Sequence, residues 1–183
     1  MAATLKGQLL IASPSIHDPN FRRTVVYMTE HGEEGAMGLV LNRAAETTVG
    51  DAVPELAWLA EESAVVHVGG PVAPQSVVVL AEFEEPELSA LLIDDGLGFV
   101  PAEVEDVSTL SDALGRRRVF AGHAGWGPGQ LEAEMDEESW ILEPARREDV
   151  FTTDPEELWS TVLRRKGSDY ALLSTMPVDP SLN

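Results

Sequence analysis

Thr24-Val25-Val26-Tyr27-Met28-Thr29 is the stretch on which the fold turns. It is rich in β-branched and aromatic residues, the composition of a strand. On its N-terminal side Leu5 to Ala12 reads as a second strand, separated by a loop, Ser13 to Asn20, that carries Pro14 and Pro19. On its C-terminal side Gly32 to Gly38 is a glycine-rich turn with two glutamates, feeding a third strand, Leu39-Val40-Leu41-Asn42. Connections this short favour antiparallel pairing, because a parallel crossover needs about a dozen residues or more.

The same mixture continues outward. Val53, Leu56, Ala57 and Ala60 recur at helical spacing over Asp51–Ala60. Val65-Val66-His67-Val68 and Ser76 to Leu80 read as strands either side of the turn Gly69-Gly70-Pro71. A helical turn at Pro86–Leu92, a strand at Leu97–Val100 and a short helix at Val107–Leu114 follow. Val119-Phe120-Ala121 is a strand that runs into the glycine segment Gly122 to Gly129, then a helix over Gln130–Met135 and a strand at Trp140–Leu142. Asp154-Pro155-Glu156-Glu157 is the clearest helix start. Asp sits at the cap, Pro at the first helical position and Glu three residues after the cap. That helix runs to Lys166, stops at Gly167, and buries Leu158, Trp159, Val162 and Leu163. A last strand is expected from Tyr170, before Pro177 and Pro180 discourage regular structure. The 183 residues show no repeat or long linker, so the expectation is one α+β domain over residues 1–183 with a largely antiparallel sheet.

Composition removes whole classes of function. The chain has no cysteine, which excludes disulfides, thiolate metal sites and cysteine nucleophiles. Twelve basic against thirty-two acidic residues leave a net charge of −20. A field of that sign repels polyanions, and nucleic-acid binding requires several Lys or Arg to displace phosphate counterions. The arginine groups at Arg22-Arg23, Arg116-Arg117-Arg118, Arg146-Arg147 and Arg164-Arg165-Lys166 are read instead as neutralising nearby carboxylates or sitting at helix C-termini. Direct DNA binding is therefore disfavoured. The start of the chain, Met1–Ala12, carries only a four-residue apolar run, short of the ~7–15 residues of a secretory signal. No segment approaches the ~20 apolar residues of a membrane span, so a cytoplasmic protein without a membrane partner is expected.

Candidate chemistry is sparse. The glycine segment after Phe120 fits neither nucleotide fingerprint: a third dinucleotide glycine would fall at Gln130, and no phosphate-loop Lys-Ser/Thr pair is present. Close packing around Trp126 explains the glycines instead. His17, His31, His67 and His123 lack the spacing of helical metal sites, so neither a metal nor a cofactor is implied. His31, beside Glu30 and near Glu33 and Glu34, is the histidine placed to donate a hydrogen bond or act as an acid. No Gly-x-Ser-x-Gly elbow occurs.

Two long stretches share a pattern. One runs from Gly7-Gln8-Leu9-Leu10-Ile11-Ala12-Ser13-Pro14 through Asp18, Phe21, Arg23, Val25-Val26, Glu30-His31, Gly35-Ala36-Met37-Gly38 and Asn42-Arg43. The other is Gly122-His123-Ala124-Gly125-Trp126, then Gly129-Gln130-Leu131-Glu132-Ala133-Glu134 and Trp140, with Gly69-Gly70-Pro71 between them. Together they make the chain resemble the bacterial YqgE/AlgH family over essentially its whole length. The resemblance implies a bifurcated, mainly antiparallel sheet, a small barrel-like part and surrounding helices. It also implies the label of a transcriptional regulator, and it brings no reaction, cofactor or catalytic residue. His17, His67 and His123 stand where the family usually has other residues, so the site expected from the resemblance is Asp18, His31, Asn42, Trp126, Gln130 and Glu134. Each also has a structural reading: Asp18 and Asn42 can bond loop backbone, and Trp126 can fill the core.

The expectation is a non-enzymatic binding or regulatory protein that acts on gene expression indirectly, through a protein or small-molecule partner. Its rivals are a hydrolase-like enzyme using His31 with Asp18 or Glu134 as acid–base partners, and a direct DNA-binding regulator. The sequence carries no signal for the oligomeric state.

Overall fold

The computed structural model describes residues 3–177. In chain order these form β1 (Gln8–Ala12), β2 (Val25–Gly32), β3 (Gly35–Val40), β4 (Ala44–Thr48), α1 (Val49–Ala52), β5 (Val65–Val68), β6 (Val72–Phe83), β7 (Leu91–Asp94), β8 (Leu97–Phe99), α2 (Val107–Asp112), β9 (Leu114–Trp126), α3 (Gln130–Asp136), β10 (Trp140–Pro144), α4 (Arg147–Val150), α5 (Pro155–Lys166) and α6 (Ser168–Leu173). Short 3₁₀ turns at Pro54–Leu59 and Pro86–Leu88 complete the set.

The strands make one ten-stranded sheet in the order β10-β1-β2-β3-β9-β6-β8-β7, with β5 branching from β9 and β4 beyond it. The opening reading holds: β1, β2 and β3 pair antiparallel, with Leu10 opposite Val26 and Tyr27 opposite Leu39. The fork arises on β9, whose Ala124–Trp126 pairs β3 while Phe120 and Ala121 pair β5 in parallel. The sheet is thus α+β, bifurcated and mainly antiparallel, but it is not closed into a barrel. β5–β4 and β8–β7 end as separate branches with no pairing between them, which corrects the barrel-like part implied by the resemblance.

Both faces of the first three strands are covered, which is why they read as almost continuous apolar runs. Leu9, Ile11, Val25, Tyr27, Leu39 and Leu41 pack on one side with Leu158, Trp159, Val162 and Leu163 of α5. Leu10, Ala12, Val26, Met28 and Val40 pack on the other with Leu131 of α3, Trp126 and Trp140. Each fully buried Leu or Val contributes about 1.5–3 kcal/mol relative to exposure. A third cluster, including Leu59, Val66, Val79, Phe83 and Val119, fills the second branch.

Several expectations shift. The Asp51–Ala60 helix breaks into α1 and a 3₁₀ turn, because Pro54 lacks an N–H and turns Val53 out of the helical region (φ −139°, ψ 78°). β3 begins at Gly35 rather than Leu39, and β6 extends back to Val72, its register shifting between Val72 and Val77 around Pro74. The glycine segment Gly122–Trp126 is the end of β9, not a loop. The strand expected from Tyr170 is the helix α6; Pro180 lies outside the described residues. Arg164-Arg165-Lys166 occupies the last turn of α5, and Arg147 lies in the single turn of α4. No helix among the described residues is long and apolar enough to cross a membrane.

Candidate functional site

α3 starts at Gly129, which caps it in the left-handed region (φ 74°). The Gln130 side chain folds back to accept the Gly127 N–H (3.0 Å), closing the turn out of β9. One helical turn on, Glu134 stands where the end of β9 and the start of β10 meet. Its Oε2 accepts the Trp126 indole N–H (2.9 Å) and the Trp140 indole N–H (2.8 Å), and its Oε1 accepts the Gln130 amide (3.1 Å). The two indoles stand edge-to-face, 6.0 Å apart, and Phe21 from the β1–β2 loop packs on both. One carboxylate therefore ties two strands to one helix through hydrogen bonds that its charge strengthens.

His31, on β2 beside the hairpin turn, meets the same helix. Leu5 N–H donates to its Nδ1 (3.1 Å), which fixes the proton on Nε2, and Nε2–H donates to Glu132 (2.8 Å). That bond holds the Glu132 carboxyl below its ordinary range. His31 and Trp126 share a depression of about 440 Å³ rimmed by Glu30, Glu33 and Glu34.

The six residues expected at the site thus divide. Trp126, Gln130 and Glu134 form one hydrogen-bonded cluster, and His31 joins their helix through Glu132. Asp18 and Asn42 do not join it. Asp18 accepts the Asn20 N–H (2.8 Å) in an exposed turn. Asn42 accepts the Val25 N–H (3.0 Å) and donates to the Arg23 carbonyl (2.8 Å), finishing the β2–β3 ladder with its side chain. The acid–base pair of His31 with Asp18 or Glu134 is not formed, since Glu132 takes Nε2, Leu5 takes Nδ1, and the indoles and Gln130 take Glu134. Glu132, Phe21 and Trp140 are the members that reasoning from sequence left out. Glu132 could have been found from its place two residues before Glu134, a spacing that turns the two carboxylates to different sides of α3.

A larger concavity, about 980 Å³, lies on the other branch of the sheet. Gly115–Val119 of β9 line it, opposite Trp58–Glu61 and Phe151–Thr153. Arg116 is bidentate to Glu82 (3.1 and 2.8 Å), and this pairing holds Glu82 below the usual carboxylate range. Arg118 donates to the Val150 and Thr152 carbonyls (3.3 and 2.8 Å). His67, 4% exposed, borders the groove with neither ring nitrogen bonded among the described residues. Burial, with Arg118 nearby, pushes its pKa down to about 4. Among the described residues no three His, Asp or Glu side chains cluster in a way that could hold a metal ion.

The sequence profile of the AlgH-like family matches residues 9–171. The UPF0301 protein SCO2948 of Streptomyces coelicolor is 43% identical, the alignment covering 99% of this chain and 96% of that protein. A UPF0301 protein of Thermobifida fusca is 40% identical over 98% and 96%. Among solved structures, protein DIP2367 from Corynebacterium diphtheriae superposes with a TM-score of 0.85 at 28% identity, covering 96% of this chain and 94% of that one. The solution structure of the AlgH protein from Pseudomonas aeruginosa superposes with a TM-score of 0.70 at 31% identity, covering 97% and 96%. None of these names carries a reaction, a substrate or a partner.

Proposed function

This chain belongs to the AlgH-like family, and from that premise we propose that it is a non-enzymatic cytoplasmic binding protein that influences gene expression indirectly, through a protein or small-molecule partner. The observation that carries the reading is the saturation of the polar cluster on α3. A general acid or base must present a free proton or lone pair within about 2.6–3.2 Å of its substrate. Here both oxygens of Glu134 and both nitrogens of His31 are already engaged with the protein's own groups. The arrangement braces the fold and commits these two side chains to internal bonds.

Direct contact with DNA has no part in this reading. A net charge of −20 opposes approach to phosphate. Several guanidinium groups are also committed internally: Arg116 to Glu82, Arg118 to two carbonyls, Arg165 to Asp149. The 980 Å³ groove offers a concave surface for contact.

The test is incubation of the whole protein with a cytoplasmic metabolite extract, followed by mass spectrometry of the free and retained fractions. Stoichiometric retention without depletion, or specific capture of a protein partner, is expected. Catalytic depletion of a compound that is lost in His31→Ala or Glu134→Gln would refute the reading and restore the enzyme.

A further inference from the structure

β9 changes partners along its length. The edge facing β6 is paired from Leu114 to Ala121. On the opposite edge β3 takes Ala124–Trp126 and β5 takes only Phe120 and Ala121. From Val119 back to Gly115 no residue of that edge is paired with a strand among the described residues.

The register shows which groups are left over. The Val79 carbonyl accepts the Val100 N–H (2.9 Å), so Val79 faces β8 while Val78 and Leu80 face β9, opposite Phe120 and Arg118. Antiparallel alternation then turns the N–H groups of Arg117 and Val119 away from β6. The Ala121 carbonyl, next in the same alternation, does accept a bond from that side, from Gly69 N–H (2.9 Å). Outside the strand ladders no acceptor meets the N–H groups of Arg117 and Val119 among the described residues, and the β5 ladder reaches no further back than Phe120. Backbone donors are normally paired in a fold, and an unpaired edge is a template for another strand.

This edge lies in the 980 Å³ groove, where charge reverses. Arg116, Arg117 and Arg118 line it against a single acid, Glu61, in a chain whose net charge is −20. Arg116 is neutralised by Glu82, whereas the only bond of the Arg117 guanidinium is a long one (3.4 Å) to Ser111 Oγ. The two free N–H groups belong to residues i and i+2, a separation of about 7 Å that matches alternate carbonyls of an extended chain.

We propose that the open edge of β9 is a strand-addition site that takes an extended acidic peptide segment of a partner protein, bonding to the backbone of Arg117 and Val119 and setting its carboxylates against Arg117. The proposal rests on the binding reading above and gives that reading an address. Main-chain bonds supply affinity in this mode, and alternate side chains supply specificity.

The probe is a short fluorescein-labelled peptide of alternating Glu and Val, titrated into the full chain by fluorescence anisotropy and by ¹⁵N amide spectra. Binding is expected, with the Arg117 and Val119 amides shifting downfield and gaining protection from hydrogen exchange. N-methylation of alternate peptide amides, Lys in place of Glu, and Arg117→Glu in the protein should each weaken binding about tenfold or more. Arg117→Glu should leave the amide spectrum of the free protein otherwise native, since among the described residues its guanidinium makes only the long bond to Ser111 Oγ. Absence of binding at about 1 mM peptide overturns the proposal. So does binding that is indifferent to N-methylation or leaves the β9 amides unmoved. A metabolite or protein retained elsewhere, with β9 silent, removes this site and leaves the binding reading intact; catalytic turnover removes that reading while the peptide titration still decides the site.

Discussion

Replacing Glu134 should show how much of the fold depends on one carboxylate. Glu134→Ala deletes the acceptor of two indole N–H groups on rings only 6% and 5% exposed. Leaving a buried donor unpaired costs about 1–3 kcal/mol, so the two together cost about 2–6 kcal/mol. The Gln130 amide is exposed and is re-solvated, adding little. For a chain of this size each kcal/mol lowers the melting temperature by about 2–4 °C, which puts the expected drop at about 4–24 °C. Glu134→Gln retains a carbonyl oxygen able to accept both indoles but loses the charge that roughly doubles such bonds, so its cost is about half as large. Urea unfolding followed by tryptophan fluorescence, with near-ultraviolet circular dichroism for the indole environment, reads both variants. A Glu134→Ala variant within about 0.5 kcal/mol of the parent, or a Gln variant as unstable as the Ala one, would refute the reasoning.

Three other perturbations follow from the same structure. The pKa of His67 lies near 4 in the fold against about 6.5 unfolded. Its contribution is therefore complete above about pH 6.5 and is lost as pH falls toward 4, on the order of 3 kcal/mol at full extent. His67→Leu should flatten the difference in urea midpoint between neutral and mildly acidic solution; an unchanged difference counts against a buried neutral imidazole. Arg165→Met strips Asp149, 4% exposed, of its bidentate partner at 2.8 Å and should cost about 3–5 kcal/mol in thermal melts. Adding Asp149→Asn to it should cost less than the two single changes summed. Gly70→Ala places a Cβ 2.2 Å from the His123 carbonyl carbon at φ 153° and should abolish soluble folded protein. Gly129→Ala, at φ 74° with open space around it, should cost only about 1 kcal/mol, as soluble yield and amide spectra will report.

Elements whose signals are local were legible. The cap Asp154 accepts the Glu157 N–H, Pro155 opens α5, and the four side chains expected beneath it are buried. β1 and β2 were legible because burial on both faces leaves runs such as Leu9-Leu10-Ile11 unbroken by polar residues. The end of β9 was not. Glycines read as a loop, but here they serve contact: a Cβ on Gly122 would lie 2.4 Å from the Gly70 carbonyl oxygen, and one on Gly69 would lie 2.3 Å from that of Gly122. A strand can be glycine-rich when another backbone crosses it this closely. α6 was read as a strand because a short apolar run cannot distinguish the two by period.

The candidate site was legible in its composition and opaque in its pairing. Trp126, Gln130 and Glu134 lie within nine residues, and a helical turn places Gln130 and Glu134 together. His31 meets Glu132 across 101 positions of sequence, and Asn42 serves a ladder end rather than the cluster.

What the amino-acid order settled alone was local and additive: strand and helix stretches, the cap of α5, a negative charge that opposes phosphate, and a family pattern spread over the chain. What only the tertiary structure decided was which carboxylate meets which donor, and which edge of β9 stays open. Those depend on where β5 begins and β3 takes over, a competition between distant backbones for the same N–H groups, and nothing within a few residues of Arg117 records its outcome.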